Sequence, residues 1–426
     1  MPPIEDHPLR YALANELHAR PFPSLATPSS AIFLAIKQPA EAVARDRALD
    51  LEHLTELLDR HGAAHPQPGA THFSAQIGRY WLKWEQHTEF VTYTAFCDGV
   101  RDRPFDPTEF EVFPDDWLAR APGQRLTSAL VRIEAADSEA QIIADLDEWF
   151  VPESTVISQV SDAGATVASD FRIDPAGHMR LAVFTAPEAG QRRVGRTVQR
   201  LLEIETYKTM SLLGFTRARS LSGRIGELDT RLTEVMIEMT EEAKPADLIL
   251  TELLAISSEL ETMAARTSFR FGATEAYRAI VSERVTALRE GRFKGRPTFG
   301  EFMVRRFEPA MRTVSSTEAR LQRLADRAIR AGDLLRTRVD VERSAQNQAL
   351  LESMDRRADM ALRLQHTVEG LSVVAISYYA VSLVSYLLYP LTQATGLSKG
   401  ELTALITVPV VLAVWLAIRR IRKSLH

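Results

Sequence analysis

The sequence predicts an α+β domain with a mostly antiparallel sheet, then a helical region with a long stalk helix, then a C-terminal transmembrane hairpin of two helices. Three observations predict this fold class. Strand-like and helix-like stretches alternate in the first part, helical periodicity dominates the middle, and two long uncharged segments lie near the C-terminus. We place the regions at 1–187, 188–314, 315–370 and 371–418, followed by a basic tail at 419–426.

The α+β pattern of residues 1–187 comes from short segments between turn-forming residues. Helices are predicted at 8–19, 41–61 and 138–149. Strands are predicted at 31–37 and 126–133, with two more between 77 and 96 and three between 155 and 184. Strands that follow one another with short breaks favour antiparallel pairing.

The helical region has four predicted parts. Helices are predicted at 191–214, 216–242 and 247–289, and the breaker-rich run 291–297 precedes Thr298-Phe-Gly-Glu301, which fits a capping box. From Ser315 to Gly370 there is no proline and one interior glycine, Gly332. This stalk would be about 80 Å long as one helix. Its apolar residues lie mostly three or four apart, which suits packing against partner helices.

Two uncharged segments predict the membrane hairpin. Leu371–Tyr389 has nineteen residues and Leu402–Ile418 has seventeen. As helices they would be about 28 and 26 Å long, close to the hydrocarbon thickness of a bilayer. The alternative, two buried helices of a soluble core, is less favoured because two such segments rarely adjoin in soluble proteins.

Charge sets the predicted orientation. Basic residues flank both segments on one side (Arg356, Arg357 and Arg363 before the first; Arg419, Arg420, Arg422 and Lys423 after the second), whereas the loop between them has only Lys399. The positive-inside rule then predicts that both termini are cytoplasmic. Residues 1–370 have 46 basic and 55 acidic residues, so we expect no nucleic-acid partner.

The sequence contains no Walker loop, GxGxxG, HExxH, GxSxG or CxxC motif, so we expect neither catalysis nor a cofactor. Weaker candidates favour structural roles. We expect Cys97 to pack in the interior, and we expect the histidines to lie in a solvated loop rather than bind a metal ion. We expect the acidic residues to form an exposed loop rather than bind a divalent cation. We expect the phenylalanines of 292–307 to enter the core rather than contact anionic lipid or RNA. The histidines are His61, His65 and His72, and the acidic residues are Glu109, Glu111, Asp115 and Asp116.

Polar residues in and before the first membrane segment share a pattern. Tyr378, Ser382, Ser385 and Tyr389 follow a 4-3-4 spacing and therefore lie on one helix face. Hydroxyls on one face of a membrane helix can line a hydrated path, but more often they bond to the backbone of their own helix or make interhelical contacts, which we favour here. Glu369 lies at the membrane boundary, where we expect it to be solvated or paired with a base such as Arg363.

Several motifs resemble those of a bacterial membrane-anchored family known as domain of unknown function 3422. They are His7-Pro-Leu-Arg10, the run from Asn15 to Phe22, Leu202-Glu-Ile-Glu-Thr-Tyr207, Thr298-Phe-Gly-Glu-Phe302 and the run from Thr367 to Tyr379. The resemblance implies a cytoplasmic domain anchored in the bacterial inner membrane, and it brings no settled activity. The motif residues that we take as site candidates are His7, Arg10, Asn15, Glu16, His18, Arg20, Glu203, Glu205, Tyr207 and Glu369.

The architecture also resembles, more loosely, that of the CorA magnesium channels, in which a long helix continues into a membrane span. Those channels have a Gly-Met-Asn signature after the first span, where this chain reads Leu387-Leu-Tyr-Pro-Leu-Thr-Gln393. The missing signature puts ion selectivity most in doubt.

The sequence therefore favours a non-enzymatic homo-oligomeric scaffold or regulator anchored in the lipid bilayer. The alternative is a CorA-like channel for a divalent cation, which requires an oligomer because one hairpin cannot enclose a pore. A third hypothesis is an enzyme that uses His7, Glu16 or His18.

Overall fold

The structure is a computed structural model that describes residues 4–16, 22–39, 45–160, 164–186, 189–241, 244–395 and 398–424. The chain divides into two compact units, Met1–Ala243 with Thr251–Ala331 and Lys244–Leu250 with Gly332–His426. The first unit contains the sheet together with most of the predicted helical region 188–314, and the predicted stalk is divided between the two units.

The described part of the first unit contains one nine-stranded sheet in the order β2-β3-β4-β1-β5-β8-β7-β6-β9. Strand β5 pairs in parallel with β8, and the other neighbours pair antiparallel. The predicted α+β class with a mostly antiparallel sheet is therefore confirmed. The strands are β1 Ser29–Lys37, β2 His72–Ile77, β3 Tyr80–Gln86, β4 Phe90–Asp98, β5 Gln124–Ala135, β6 Val156–Val160, β7 Ala165–Ser169, β8 Met179–Thr185 and β9 Gly291–Arg292.

Long helices follow the sheet strands, as predicted. The helices in the described residues are α1 Arg10–Glu16, α2 Arg47–Arg60, α3 Asp115–Leu118, α4 Glu139–Trp149, α5 Gln191–Glu241, α6 Ala246–Leu288, α7 Phe299–Phe302, α8 Glu308–Thr395 and α9 Lys399–Ser424. A π-helical turn, Met303–Phe307, joins α7 to α8.

The sheet of the first unit is buried on both faces. In β1, Ala31 and Phe33 belong to one core, whereas Ile32 and Leu34 belong to the other. Helices α5 and α6 and the start of α8 cover the first face, and α2, α3 and α4 cover the second. This double cover explains why the central strand is apolar at successive positions instead of alternating.

The two strands at the edges of the sheet were not predicted. His72, assigned to a loop, begins β2, and the breaker run that starts at Gly291 contributes β9. β2 alternates polar and apolar residues, His-Phe-Ser-Ala-Gln-Ile, with every second residue exposed, so its strand pattern was present in the sequence but was overlooked when His72 was assigned to a loop. β9 has only two residues, too few to show an alternation.

Helix boundaries differ from the predicted ones at several points. The predicted helix 8–19 begins at Arg10 and is described to Glu16, and residues 17–19 lie outside the described part. The predicted helix 41–61 is described from Arg47, where Asp46 is its N-cap, and residues 41–44 lie outside the described part. The predicted helices 191–214 and 216–242 are one helix, α5, which continues through Gly214 because that glycine packs closely against Thr274 of α6. Helix α8 continues through Pro390 to Thr395, so the predicted break after Tyr389 lies further along the chain.

The connection from α6 to α7 depends on a half-buried carboxylate, that of Glu290. The predicted capping box is present, with the Thr298 hydroxyl accepting from the Glu301 backbone and the Glu301 side chain accepting from the Thr298 backbone. The two carboxylate oxygens of Glu290 also accept from the backbone N–H groups of Phe299 at 3.0 Å and Gly300 at 2.8 Å. Burial raises the pKa of Glu290, and these hydrogen bonds oppose the shift.

The second unit contains two helical segments that are long and apolar enough to cross a membrane. The uncharged segment Leu371–Tyr389 lies within α8, and Leu402–Ile418 lies within the 22-residue stretch Lys399–Arg420 of α9. Pro409 lies inside α9.

Substitution of Gly214 by alanine should destabilise the first unit. An added Cβ would lie 2.1 Å from the hydroxyl oxygen of Thr274 and 3.0 Å from its Cβ, so the two helices would have to separate, at a cost of about 1–3 kcal/mol. Gly226→Ala on the same helix is the control, because a Cβ added there would have no neighbouring atom within 4 Å. That variant should be neutral or more stable by up to about 1 kcal/mol. Chemical unfolding of the purified variants measures the free energy of unfolding of each. Equal stability of the two variants would contradict the close contact between α5 and α6.

Candidate functional site

One face of α5 turns a set of mostly polar side chains toward the sheet. Gln199, Leu202, Glu203, Thr206 and Tyr207 follow the spacing i, i+3, i+4, i+7 and i+8, which places them in one stripe of the helix. Two of the motif residues predicted from the sequence, Glu203 and Tyr207, therefore lie side by side on this stripe.

The strands opposite this stripe are also polar. Lys83 and Glu85 of β3 alternate with residues of the other core, and Thr92 and Thr94 of β4 lie beside them, since Thr94 pairs with Lys83 and Thr92 pairs with Glu85. The alternate residues of these strands, such as Trp84, belong to the core covered by α2. The face toward α5 thus combines burial with polarity, which is uncommon where a helix covers a sheet.

A cavity of about 210 Å³ lies between these two surfaces. We call it the sheet–helix cavity. Besides the residues of β3, β4 and α5 already described, its walls contain Phe22, Phe33, His87, Phe90, Phe96 and Arg284.

The charged residues of the sheet–helix cavity form one chain of hydrogen bonds from the sheet to α6. The Lys83 ammonium lies 3.1 Å from the Glu85 carboxylate and donates to the Gln199 side-chain oxygen at 3.2 Å. The Gln199 amide donates to Glu203 at 2.8 Å, and Arg284 of α6 donates to the other oxygen of Glu203. Two cations and two carboxylates are therefore joined, and these four groups have no net charge when all are ionised.

A second buried cluster joins the β3–β4 turn to α6. Glu89 is buried and accepts from Arg270, at 3.3 Å from one guanidinium nitrogen and more closely from the other, and from the Tyr277 hydroxyl at 3.0 Å. Burial and the neighbouring Glu89 raise the pKa of Tyr277. The Tyr277 ring stacks on Tyr207, with ring centroids 5.5 Å apart, so this cluster supports the wall of the sheet–helix cavity.

The second acidic residue of the same motif, Glu205, faces away from the cavity. The Glu205 carboxylate is buried and accepts from the hydroxyls of Thr127 and Thr209, each at 3.1 Å, and from Lys208 at 2.6 Å. Glu205 is two residues from Glu203, or about 200° around the helix, which explains the different surroundings. Its contacts are those of a structural residue.

The N-terminal motif is described in part. Arg10 forms an ion pair with Asp6, and the His7 ring accepts from the backbone N–H of Leu9 at 3.2 Å. The side chains of Asn15 and Glu16, and the whole of His18 and Arg20, lie outside the described part of the chain.

The last residue of this motif, Phe22, lines the sheet–helix cavity. The segment that begins there packs on the first turns of α5, where a Cβ at Gly195 would lie 1.8 Å from the Pro23 carbonyl oxygen. The Leu25 backbone N–H also donates to the Gln191 carbonyl at 3.1 Å.

The polar residues of the first membrane segment lie along one groove in the second unit. Tyr378, Ser382, Ser385 and Tyr389 line a groove of about 710 Å³ between α8 and α9, together with Ser377 and, on α9, Thr403 and Thr407. The hydroxyl oxygens of Ser377 and Ser385 are buried there and have no hydrogen-bond partner among the described residues. Glu369, expected to be solvated or paired with a base, is 40% exposed; it accepts from Gln365 at 3.2 Å and lies 3.7 Å from the His366 ring rather than beside Arg363.

The remaining candidates lie elsewhere. Cys97 is half-buried at the end of β4, and burial raises the pKa of its thiol. Among the acidic residues expected to be exposed, Glu109 is in fact buried, and Asp116 pairs with Arg60, which lowers the pKa of Asp116 to about 2. Within the described ranges, no group of three or more histidine, cysteine or acidic residues is arranged to hold a metal ion.

Sequence reasoning missed most of the sheet–helix cavity, including Lys83, Thr92, Thr94, Gln199 and Arg284. One signal was present in the sequence. Lys83 and Glu85 interrupt an aromatic strand at alternate positions, which indicates a polar face. The sequence does not show that a helix covers that face.

Comparisons with known proteins identify a family and nothing more detailed. The model of a family described as protein of unknown function (DUF3422) matches residues 5–425, nearly the whole chain. No curated protein and no solved structure matches the chain. The looser resemblance to CorA channels receives no support from these comparisons.

Glu205→Ala and Glu203→Ala should differ strongly in stability although both carboxylates belong to one motif. Loss of the buried Glu205 carboxylate leaves Lys208 and the Thr127 hydroxyl without this acceptor, at a cost of about 3–5 kcal/mol. The Thr209 hydroxyl keeps the backbone carbonyl of residue 205 as an acceptor at 2.9 Å. Loss of Glu203, whose ion pair with Arg284 is partly exposed, should cost about 1 kcal/mol or less. Chemical unfolding of the two variants measures the difference, and a larger loss for Glu203→Ala would reverse the assigned roles.

Proposed function

Because the chain belongs to the DUF3422 family, whose description assigns no activity, we propose a function from its own residues. It is a membrane-anchored, non-enzymatic homo-oligomer that acts as a scaffold or regulator, with its sheet-containing unit on the cytoplasmic side of the bacterial inner membrane. The observation that carries this proposal is the pair of apolar helical segments in the second unit.

The side chains of these segments support insertion in a bilayer. Leu383 and Leu387 of α8 and Val408 of α9 are each about 70–80% exposed. Exposed apolar surface costs roughly 25 cal/mol per Å² in water, and a bilayer removes that cost. Trp415 and Arg419 end the second segment in an arrangement typical of a membrane interface, with the guanidinium 5.0 Å from the ring centroid.

A stripe of exposed apolar residues before the membrane segment supports homo-oligomerisation. Leu350, Met354, Leu364, Val368 and Leu371 fall on positions separated alternately by four and three residues, with Arg357 and Ala361 at the two positions between. The five apolar side chains are each more than half exposed in the single chain. This is the spacing with which helices pack in coiled coils, and a second copy provides the same stripe.

The groove between α8 and α9 also suits a second copy. The unpartnered hydroxyls of Ser377 and Ser385 lie in a segment where acyl chains offer no hydrogen bond. Serine and threonine hydroxyls of a neighbouring hairpin would satisfy them.

The same hydroxyls support the competing function, a cation channel between copies of the first membrane segment. Against it, the loop after the first segment lacks the Gly-Met-Asn signature. Reconstituted liposomes decide between the two: we expect no Mg²⁺ flux above that of empty liposomes, and sustained flux would favour the channel.

Cysteine labelling tests the proposed topology. Cys97, the sole cysteine of the chain, is first replaced by serine, and a cysteine is then placed at Thr395 or at Ser424. In intact cells a membrane-impermeant maleimide should label Thr395→Cys but not Ser424→Cys, because the basic flanks keep both termini in the cytoplasm. Permeabilised cells should label both. Labelling of Ser424→Cys from outside would overturn the orientation.

A proline in the exposed part of α8 tests the role of the apolar stripe. Ala358→Pro removes an interior hydrogen bond and clashes with the preceding turn, at a local cost of about 3 kcal/mol or more. We expect loss of oligomers with membrane insertion retained, because both apolar segments are unchanged. Chemical crosslinking of membranes measures the oligomers, with Ala358→Ser as the control at the same position. Wild-type crosslinks in Ala358→Pro would show that this stripe does not organise the assembly.

A further inference from the structure

We propose that the sheet–helix cavity binds a small zwitterion, an α-amino acid with an apolar side chain. This proposal concerns the first unit and does not depend on the membrane anchoring proposed above. It rests on three independent properties of the cavity. Two threonine hydroxyls have no protein partner among the described residues, two cationic and two anionic side chains balance one another in the walls, and the rest of the lining is largely aromatic.

The hydroxyls of two buried threonines face the cavity without a partner in the described part of the protein. Thr92 is 5% exposed and Thr94 is 6% exposed, and both side chains line the cavity from adjacent same-face positions of β4. Neither hydroxyl has a hydrogen bond to any residue in the ranges that the structure describes. Neither hydroxyl oxygen is itself sealed from solvent, so both are open to the cavity and can form hydrogen bonds with a polar group bound there.

The charges of the walls select the type of ligand. Lys83 and Arg284 balance Glu85 and Glu203, so a ligand with a net charge would add an uncompensated charge to a mostly buried space. A zwitterion adds none. Lys83 uses two of its three N–H groups on Glu85 and Gln199, which leaves one donor for a ligand carboxylate. The ligand ammonium is complementary to the two wall carboxylates.

The rest of the lining suits an apolar body. Phe33, Phe90 and Phe96 contribute aromatic surface from the sheet, and Leu202 and Tyr207 contribute apolar surface from α5. The volume of about 210 Å³ is below the roughly 300–1,000 Å³ of pockets for drug-sized ligands, which limits the ligand to a small molecule.

Calorimetric titration of the purified full-length chain in detergent tests the proposal. The probes are L-phenylalanine and L-leucine, with phenethylamine and 3-phenylpropanoate as analogues that lack the carboxylate or the ammonium group. We expect at least one amino acid to bind and each single-charge analogue to bind at least tenfold more weakly than phenylalanine. No binding by either amino acid, or equal binding by the analogues, would overturn the proposal.

Threonine variants locate the binding. Thr92→Val and Thr94→Val keep the shape of the side chain and remove the hydroxyl, so each should weaken binding at least tenfold, and Thr94→Ser should restore it. Thr166→Val is the matched control, because Thr166 is a buried strand threonine on β7 outside the cavity. Unchanged affinity in both cavity variants, or an equal loss in Thr166→Val, would exclude this cavity as the site. Thermal unfolding of every variant separates lost binding from lost folding.

Discussion

The packing of α5 across the sheet is the interaction on which the first unit depends. Val194, Val198 and Leu201 enter the core that covers one face of the sheet, and the same turns of the helix present Gln199 and Glu203 to the cavity. One helix thus supplies both the burial that stabilises the sheet and the wall of the candidate site. Any change that moves α5 alters the core and the cavity together.

The second support of this arrangement is electrostatic. Helix α6 contacts the sheet region through Glu89 and Arg270, and it contacts α5 through Arg284 and Glu203. Because the Glu89 carboxylate is buried, its pairing with Arg270 and Tyr277 is needed to offset the cost of removing the charge from water. The polar network therefore fixes how α6 lies on α5, whereas the apolar core alone would allow neighbouring packings.

Local patterns in the sequence predicted much of the fold. The apolar strand Ala31–Lys37, the capping box at Thr298 and the uncharged segment Leu371–Tyr389 each depend on residues close together in the chain. The sheet–helix cavity could not be predicted in this way, because it joins β3, β4, α5 and α6. A lysine and a glutamate at alternate strand positions are typical of a solvent-facing strand, and only the long-range packing of α5 shows that they are buried. The four-residue spacing of Glu203 and Tyr207 was visible, but not the surface that they face.

The close contacts of two glycines on α5 fix the length of the helix between them. At Gly195 the helix meets the Pro23 backbone, and at Gly214 it meets Thr274 of α6. A residue inserted or deleted between these points would rotate one contact by about 100° relative to the other and displace the cavity stripe. Beyond Gly214, a Cβ added at Gly223 or Gly226 would have no neighbouring atom within 4 Å. A change in helix length between Gly195 and Gly214 would therefore break one of these two contacts, whereas a change beyond Gly214 would keep both and instead rotate the buried residues Ile225, Leu228 and Leu232 away from their neighbours.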